Sequence, residues 1–304
     1  MNDLNRAVDY IQNNYAFIKG SNSARIGSSR DEINKAVHFW KSRLINTCFT
    51  EEKFKSWLEK EYPLHHQNIP YYFIAKFPVT NEKYSEFLSN QVNNKEEIPT
   101  SLMRKEPPDH PVWGVSIEMC ERFCNFVRNK LEKSGLEVEV DLPTESQWEY
   151  AARGETNNLY PYGNHFDPEK ANTVESGIGK TTHVRRYQKH PSPFGVYDLA
   201  GNVEEWTRSI YQPYPGGQLI HDDLSDHHQT YHVLRGGSFV FGGDVSRCAR
   251  RHGPHPDPEF LYAGFRPVIN MSPKNNWPTA FKQLINSYLQ NGSLRDTKAA
   301  KNHT

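Results

Sequence analysis

From Gly154 to about Pro258 the chain shows almost no hydrophobic periodicity: Gly, Pro, Asn and Asp crowd together and apolar runs are short. Such a stretch cannot supply a helical bundle or a broad regular sheet, because neither a helical nor a two-residue repeat gathers apolar groups on one face. Low hydropathy over so many residues would ordinarily mean disorder. Aromatic residues, however, make up 12% of the sequence and recur throughout this stretch. The expectation is therefore an irregular, turn-rich body whose loops are pinned by buried rings. One short run, Tyr231-His232-Val233-Leu234, reads as a strand leading into Arg235.

The segments before it are more regular. Leu4, Val8, Ile11 and Tyr15 recur at helical spacing and predict a short N-terminal helix within residues 1–15. Phe17-Ile18-Lys19-Gly20 and Ala24-Arg25-Ile26-Gly27-Ser28 read as strands broken by glycine turns. Ile33, Ala36, Val37, Trp40 and Leu44 form one helical stripe, and Phe54, Trp57, Leu58 and Tyr62 another. Residues 31–62 thus predict an inserted helical hairpin whose second helix starts at Thr50, where Glu51 and Glu52 suit the N-terminal dipole. Tyr71–Ala75 is a strand candidate, and Asn81 is expected to cap a helix carrying Tyr84, Phe87 and Leu88. Ser116 opens a helix with Cys120, Phe123, Cys124, Val127 and Leu131 on its inner face. Thr144 and Gln147 fit a capping box, in which each side chain satisfies a free amide of the other. Phe281, Leu284, Ile285, Tyr288 and Leu289 predict a terminal helix ahead of a charged tail.

With 304 residues there is ample volume for a core, and Lys+Arg equals Asp+Glu at 36 each. No global field then draws the chain to nucleic acid or an anionic membrane. No apolar run approaches the roughly 20 residues of a membrane span. The N-terminus lacks the basic-then-apolar pattern of a signal peptide, so a cytoplasmic location is expected. The four cysteines, Cys48, Cys120, Cys124 and Cys248, suit neither a disulfide framework nor a zinc site and are expected to pack as small apolar groups.

A series of segments in order carries a family resemblance. It runs through Phe77-Pro78-Val79-Thr80-Asn81, His110-Pro111-Val112-Trp113-Gly114 and Leu142-Pro143-Thr144-Glu145-Ser146-Gln147-Trp148-Glu149-Tyr150. Tyr160-Pro161-Tyr162-Gly163-Asn164 and Gly195-Val196-Tyr197-Asp198-Leu199-Ala200-Gly201-Asn202-Val203-Glu204-Glu205-Trp206 follow. Arg235-Gly236-Gly237-Ser238-Phe239, Arg247-Cys248-Ala249-Arg250-Arg251 and Ala263-Gly264-Phe265-Arg266-Pro267 complete it. Any one of these fragments is weak; the ordered series is specific. The chain resembles the formylglycine-generating enzyme, or sulfatase-modifying factor, family over about residues 16–269, with the 31–62 insertion inside and a helix and tail over 270–304.

The resemblance implies an α+β, C-type-lectin-like fold with little regular secondary structure. The family includes copper oxidases that convert a sulfatase cysteine to formylglycine, inactive paralogues, iron-dependent sulfoxide synthases and siderophore-maturation proteins, so fold alone does not select an activity. The copper oxidases place two thiolates between the Arg-Gly-Gly-Ser and Arg-Cys-Ala motifs, since Cu(I) prefers sulfur. Here that interval holds Phe241, Gly242, Gly243, Asp244 and Val245. Copper is not expected, and iron is left open.

What remains is a pseudoenzyme-like binding or accessory module presenting an aromatic-lined cleft, with Phe239, Phe241 and Arg251 as binding residues, to a protein or small molecule. The 31–62 insertion would offer a further partner surface. Ser238, Arg251, His252 and Asp244 are the cleft candidates. The alternative is a metal-dependent oxidase or oxygenase acting on a peptide or natural product, with Asp244, His252 and His255 in place of the thiolates; a redox use of Cys120, Cys124 and Cys248 is a third reading. The basic run Arg247, Arg250 and Arg251 is expected to pair with acids inside the fold rather than with nucleic acid. Of the 14 histidines, the adjacent pairs His65-His66 and His227-His228 point their side chains apart rather than chelate. The resemblance also implies a calcium loop at Asn202, Val203 and Glu205, and a second beginning at Asn172-Thr173 with its acidic partner near Glu175 or Ser176. Hydrogen bonds from the same side chains could hold either loop instead. Finally, the resemblance implies that Cys248 and Cys124 lie close in space.

Overall fold

A computed structural model describes residues 3–43, 50–91, 97–221, 230–255, 257, 261–271 and 277–291. Leu44, Cys48, His227 and His228 lie outside the described residues.

The centre is a four-stranded antiparallel sheet ordered β1-β4-β9-β5, comprising β1 (Tyr15–Ile18), β4 (Tyr72–Ala75), β9 (Val268–Asn270) and β5 (Glu139–Asp141). Every residue of β1 and β4 is buried, so both strands read as unbroken apolar runs rather than alternating ones. Tyr15, Phe17, Phe73, Ala75 and Ile269 point into one core cluster. Their neighbours Ala16, Ile18, Tyr72, Ile74 and Val268 point into the other. The first cluster lies beneath α1 (Asp3–Asn14), α4 (Asn81–Ser89), α6 (Ile117–Lys133) and the terminal helix α8 (Thr279–Asn291). The second is covered by α7 (Glu145–Arg153). The ladder β2 (Ser21–Ile26) with β3 (His65–Ile69) packs beside α7. A third sheet, β7-β6-β8, joins β6 (Glu204–Ile210), β7 (His232–Arg235) and β8 (Ala263–Gly264).

The helix starts follow from local chemistry. Ser116 caps α6 and Thr144 caps α7, the latter with the expected Gln147 reciprocating. Thr50 caps α3 (Glu51–Glu59) by accepting from the Lys53 amide, as expected. The helix α2 (Arg30–Trp40) starts in a Ser29–Glu32 capping box. The α4 cap is Thr80, one residue before the expected Asn81. Asn81 instead sits buried in the first turn, taking the Ser101 hydroxyl and donating to Pro107 O. A single helical turn, α5 (Thr100–Met103), lies nearby.

Between Arg153 and β6 the described chain has only a short 3-10 turn at Val174–Ser176, as the lack of periodicity predicts. The strand β3 was not foreseen, because His65-His66-Gln67-Asn68 is polar and only Ile69 is buried. Adjacent His65 and His66 do alternate along it.

The expected closeness of Cys124 and Cys248 is not met. Cys124 packs in the cluster under α6, and Cys248 in the separate cluster holding Ala151 and Ala152 of α7. The family resemblance implied that the two lie together, but the central sheet separates their clusters.

Candidate functional site: the Arg235–His252 segment and its surroundings

Gly236 and Gly237 both have positive φ, 92° and 68°. A Cβ at either would crowd Trp148 or Val245, so only glycine turns the chain sharply out of β7. This turn sends Arg235 inward and starts the loop through Phe241.

α7 meets it from the other side. Glu145, Glu149 and Arg153 recur every fourth residue on a helix otherwise filled by Trp148, Tyr150, Ala151 and Ala152, and all seven are buried. Arg235 donates from Nη2 to Glu145 Oε2 at 2.8 Å and from Nη1 to Glu149 Oε2 at 3.1 Å. Arg251 grips both oxygens of Glu145 at 2.8 Å and donates to the Lys60 and Gln212 carbonyls. Its guanidinium also lies 4.1 Å from the Tyr214 ring centroid. Burial pushes the Glu149 carboxyl up to about 7, against the pull of Arg235.

The rest of the basic run is consumed in the same way. Arg247 forks onto Glu61 at 2.7 and 2.8 Å and reaches Asp244 at 2.9 Å; Arg250 takes the other Asp244 oxygen at 3.0 Å. Burial raises the Asp244 carboxyl, but Arg247 and Arg250 outweigh it and hold it below its usual range. The expectation of ion pairing within the fold is met. Arg251 and Asp244, expected to face a cleft, are instead fully enclosed.

The helical insertion is joined to this segment. Its inner face, Ile33, Val37, Trp40, Phe54 and Leu58, shares a cluster with Tyr160, Tyr162 and Phe166. Trp40 meets Phe166 edge-on at 5.0 Å. Phe166 in turn covers Gly243, where a Cβ would run into the ring. Glu175 accepts the Gly243 amide with both oxygens at 3.1 Å. The 241–245 interval is thus clamped between the insertion and the 172–176 turn, and the insertion's inner apolar face is not free for a partner.

The expected calcium ligands do not fit a cation as arranged. Glu205 accepts from Arg266 Nε and Nη2 at 2.6 Å and from Trp148 Nε1 at 2.7 Å. Asn202 uses its whole amide, accepting from Thr182 N and Asn172 Nδ2 and donating to Thr182 O and Asp198 Oδ2. Val203 is buried beside them. Asn172 donates to Lys180 O and accepts from Ser176, while Glu175 holds Gly243. Ordinary hydrogen bonds from these side chains hold both loops. Among the described residues, the buried carboxyl with an unmet oxygen is Asp198, whose Oδ1 makes no hydrogen bond and whose φ is 55°. Burial raises it to about 7, opposed by Asn202 and Arg266.

Burial also pushes the Cys120, Cys124 and Cys248 thiols well up, so none offers a thiolate. Asp244, His252 and His255 do not converge: Asp244 is paired, and His255 is exposed with Nδ1 taking the Asp257 amide. Among the described residues no three His, Cys, Asp or Glu side chains form a metal-holding group.

A model of the sulfatase-modifying factor enzyme 1-like domain matches residues 44–271. The chain belongs to this family. Its start lies within the inserted hairpin, later than the expected residue 16. A serine/threonine-protein kinase Pkn1 of Chlamydia trachomatis is 33% identical over 226 residues, covering 68% of this chain and 34% of the relative. The chain therefore spans about a third of that relative's length. An inactive Cα-formylglycine-generating enzyme 2 of Mus musculus is 36% identical over 141 residues, 41% of each chain. The solved Treponema denticola variable protein 1 superposes with a TM-score of 0.59 at 20% identity, covering 84% of this chain and 95% of that one. The mixed helix-and-sheet architecture is thus of the formylglycine-generating-enzyme type.

On this family scaffold the segment and its surroundings hold two sets of ring contacts, one at Tyr262 and one at His252. Phe239 meets Tyr262 edge-on at 5.0 Å, Tyr262 meets Trp113 at 5.2 Å, and Phe241 meets His252 at 5.1 Å. His252 Nδ1 lies 2.7 Å from Glu204 Oε1. The Ser238 hydroxyl is buried and makes no hydrogen bond. Of the site candidates, Phe241 and His252 come together, whereas Phe239 is buried against Tyr262 and Arg251, Asp244 and Ser238 are enclosed. Glu145, Glu149, Glu61 and Glu204 were missed. For the first two, acids four apart on a strongly aromatic helix were the available signal.

Proposed function

We propose that this family member lacks copper oxidase chemistry and acts as a binding or accessory module, presenting the partly exposed rings of Phe241 and Tyr262, with Phe239 buried behind Tyr262, to a protein or small molecule. The observation that carries this reading is the fate of the 241–251 segment. Its one thiol, Cys248, is buried, its charges are neutralised internally, and a phenylalanine stands where the resemblance places a copper thiolate. Phenylalanine can neither hold Cu(I) nor relay an electron. Relatives in which the matching region occupies about a third of a longer chain support use of the domain as a module beside other parts. No helix among the described residues is long and apolar enough to cross a membrane.

The test is turnover of a sulfatase-derived cysteine peptide by the Cu(I)-loaded protein under oxygen, followed by mass spectrometry. No formylglycine is expected. Conversion above a copper-only control, or a stoichiometric redox metal in the purified protein, would overturn this function.

A further inference from the structure

The helices α1, α4 and α6 leave a cleft of about 310 Å³ between them. Pockets for small molecules begin at about this size, roughly 300 Å³. Its floor is apolar: Ala7 of α1 and Phe123, Val127 and Leu131 of α6 are all buried side chains that line it. The partly buried rings of Tyr10 and Phe126 line it as well. The space exists because α1 packs chiefly on α8 and β1, while α6 packs on β5, β6 and α4. The short Ala7 side chain then leaves the gap between α1 and α6 unfilled. α1 lies before residues 44–271, and no lining residue belongs to the 235–252 segment, so the cleft is separate from the surface proposed above.

The mouth carries Arg6, Lys83 and Lys130 against Asp3 and Glu86. Both acids are already taken, since Arg6 meets Asp3 at 3.3 Å and Lys130 meets Glu86 at 2.8 Å. Lys83 is the cation left over. Among the described residues its ammonium makes no ion pair and donates to the neutral Asn14 Oδ1 at 3.2 Å. Burial holds Lys83 below the ordinary lysine range and the like charge of Arg185 adds to this, with Glu86 and Glu82 opposing only in part. A carboxylate arriving at Lys83 would offset that uncompensated charge. A cationic ligand would add to it, and a second carboxylate on the same ligand would have to be buried on the apolar floor.

We propose that this cleft binds apolar monocarboxylates, with the hydrocarbon body against Phe123, Val127 and Leu131 and the carboxylate on Lys83.

The experiment titrates the full chain at neutral pH with octanoate, octan-1-ol and octylammonium, one hydrocarbon body with three head groups. Alanine and valine methyl resonances are followed by NMR. Octanoate is expected to shift the Ala7 and Val127 methyls and to bind about fivefold more tightly than octan-1-ol, with octylammonium weakest. Lys83→Gln keeps a donor for Asn14 without the charge; it should bring octanoate down to the affinity of octan-1-ol and leave octan-1-ol unchanged. Ala7→Phe, which fills the floor, should weaken both ligands while the circular dichroism spectrum stays that of the parent. Methyls of Ala7 and Val127 that stay still with octanoate overturn the proposal. So does octan-1-ol binding as tightly as octanoate to the unmodified protein, or a carboxylate preference that survives Lys83→Gln.

Discussion

Asp198 shows at the scale of one residue how burial sets chemistry here. Its carboxyl is enclosed, one oxygen has no partner, and burial lifts it from the usual 3.8 to about 7. The folded state therefore binds the proton more tightly than the unfolded chain. The resulting stability is fully present below about pH 4 and is lost as pH rises through about 7. Asp198→Asn keeps the hydrogen bond to Asn202, tolerates the positive φ and removes the charge. Urea denaturation in EDTA should show the variant close to the parent below about pH 4 and increasingly more stable than it as pH rises to 8. An unchanged pH slope would show that Asp198 does not carry this dependence. The sequence showed Asp198 only as part of a motif. Burial of its unpaired oxygen depends on Asn202, Arg266 and the chain packed around them, which residue order does not specify.

At the scale of elements, the inserted hairpin was legible and its role was not. Two stripes and Thr50 predicted α2 and α3, since caps and apolar spacing are local signals. Its use as a partner surface followed from its being an insertion. The structure instead uses its inner face and Glu61 to hold the 241–251 segment. Glu61→Ala leaves Arg247 buried with only Asp244 for charge partner. The expected cost is about 3–5 kcal/mol, read from the denaturation midpoint. Hydrogen exchange should also quicken across 241–251. A loss below about 1 kcal/mol would mean that the pair is compensated elsewhere. Polar β3 escaped detection for the complementary reason: its partner β2 dictates the strand, and its own sequence carries no apolar repeat.

For the whole molecule, the central sheet divides two clusters, and paired charges stitch the insertion to the second. Arg251 bridges Lys60 O, Gln212 O and Glu145, and so links the insertion, a loop and α7. Insertion and body are therefore expected to unfold in one transition, with coincident near- and far-ultraviolet circular dichroism midpoints. A separate early transition that vanishes when Trp40 is replaced would show the insertion to be an independent unit. The family scaffold, the capped helices, the irregular middle and the phenylalanine at position 241 are legible in residue order alone, because each is written in contiguous residues. The folded chain alone shows which acids Arg247, Arg250 and Arg251 meet, that the expected calcium side chains are spent on hydrogen bonds, and that His252 faces Glu204. These outcomes depend on burial and on partners far apart in the chain, such as Glu61 with Arg247, and no local pattern records which acid a buried arginine will meet.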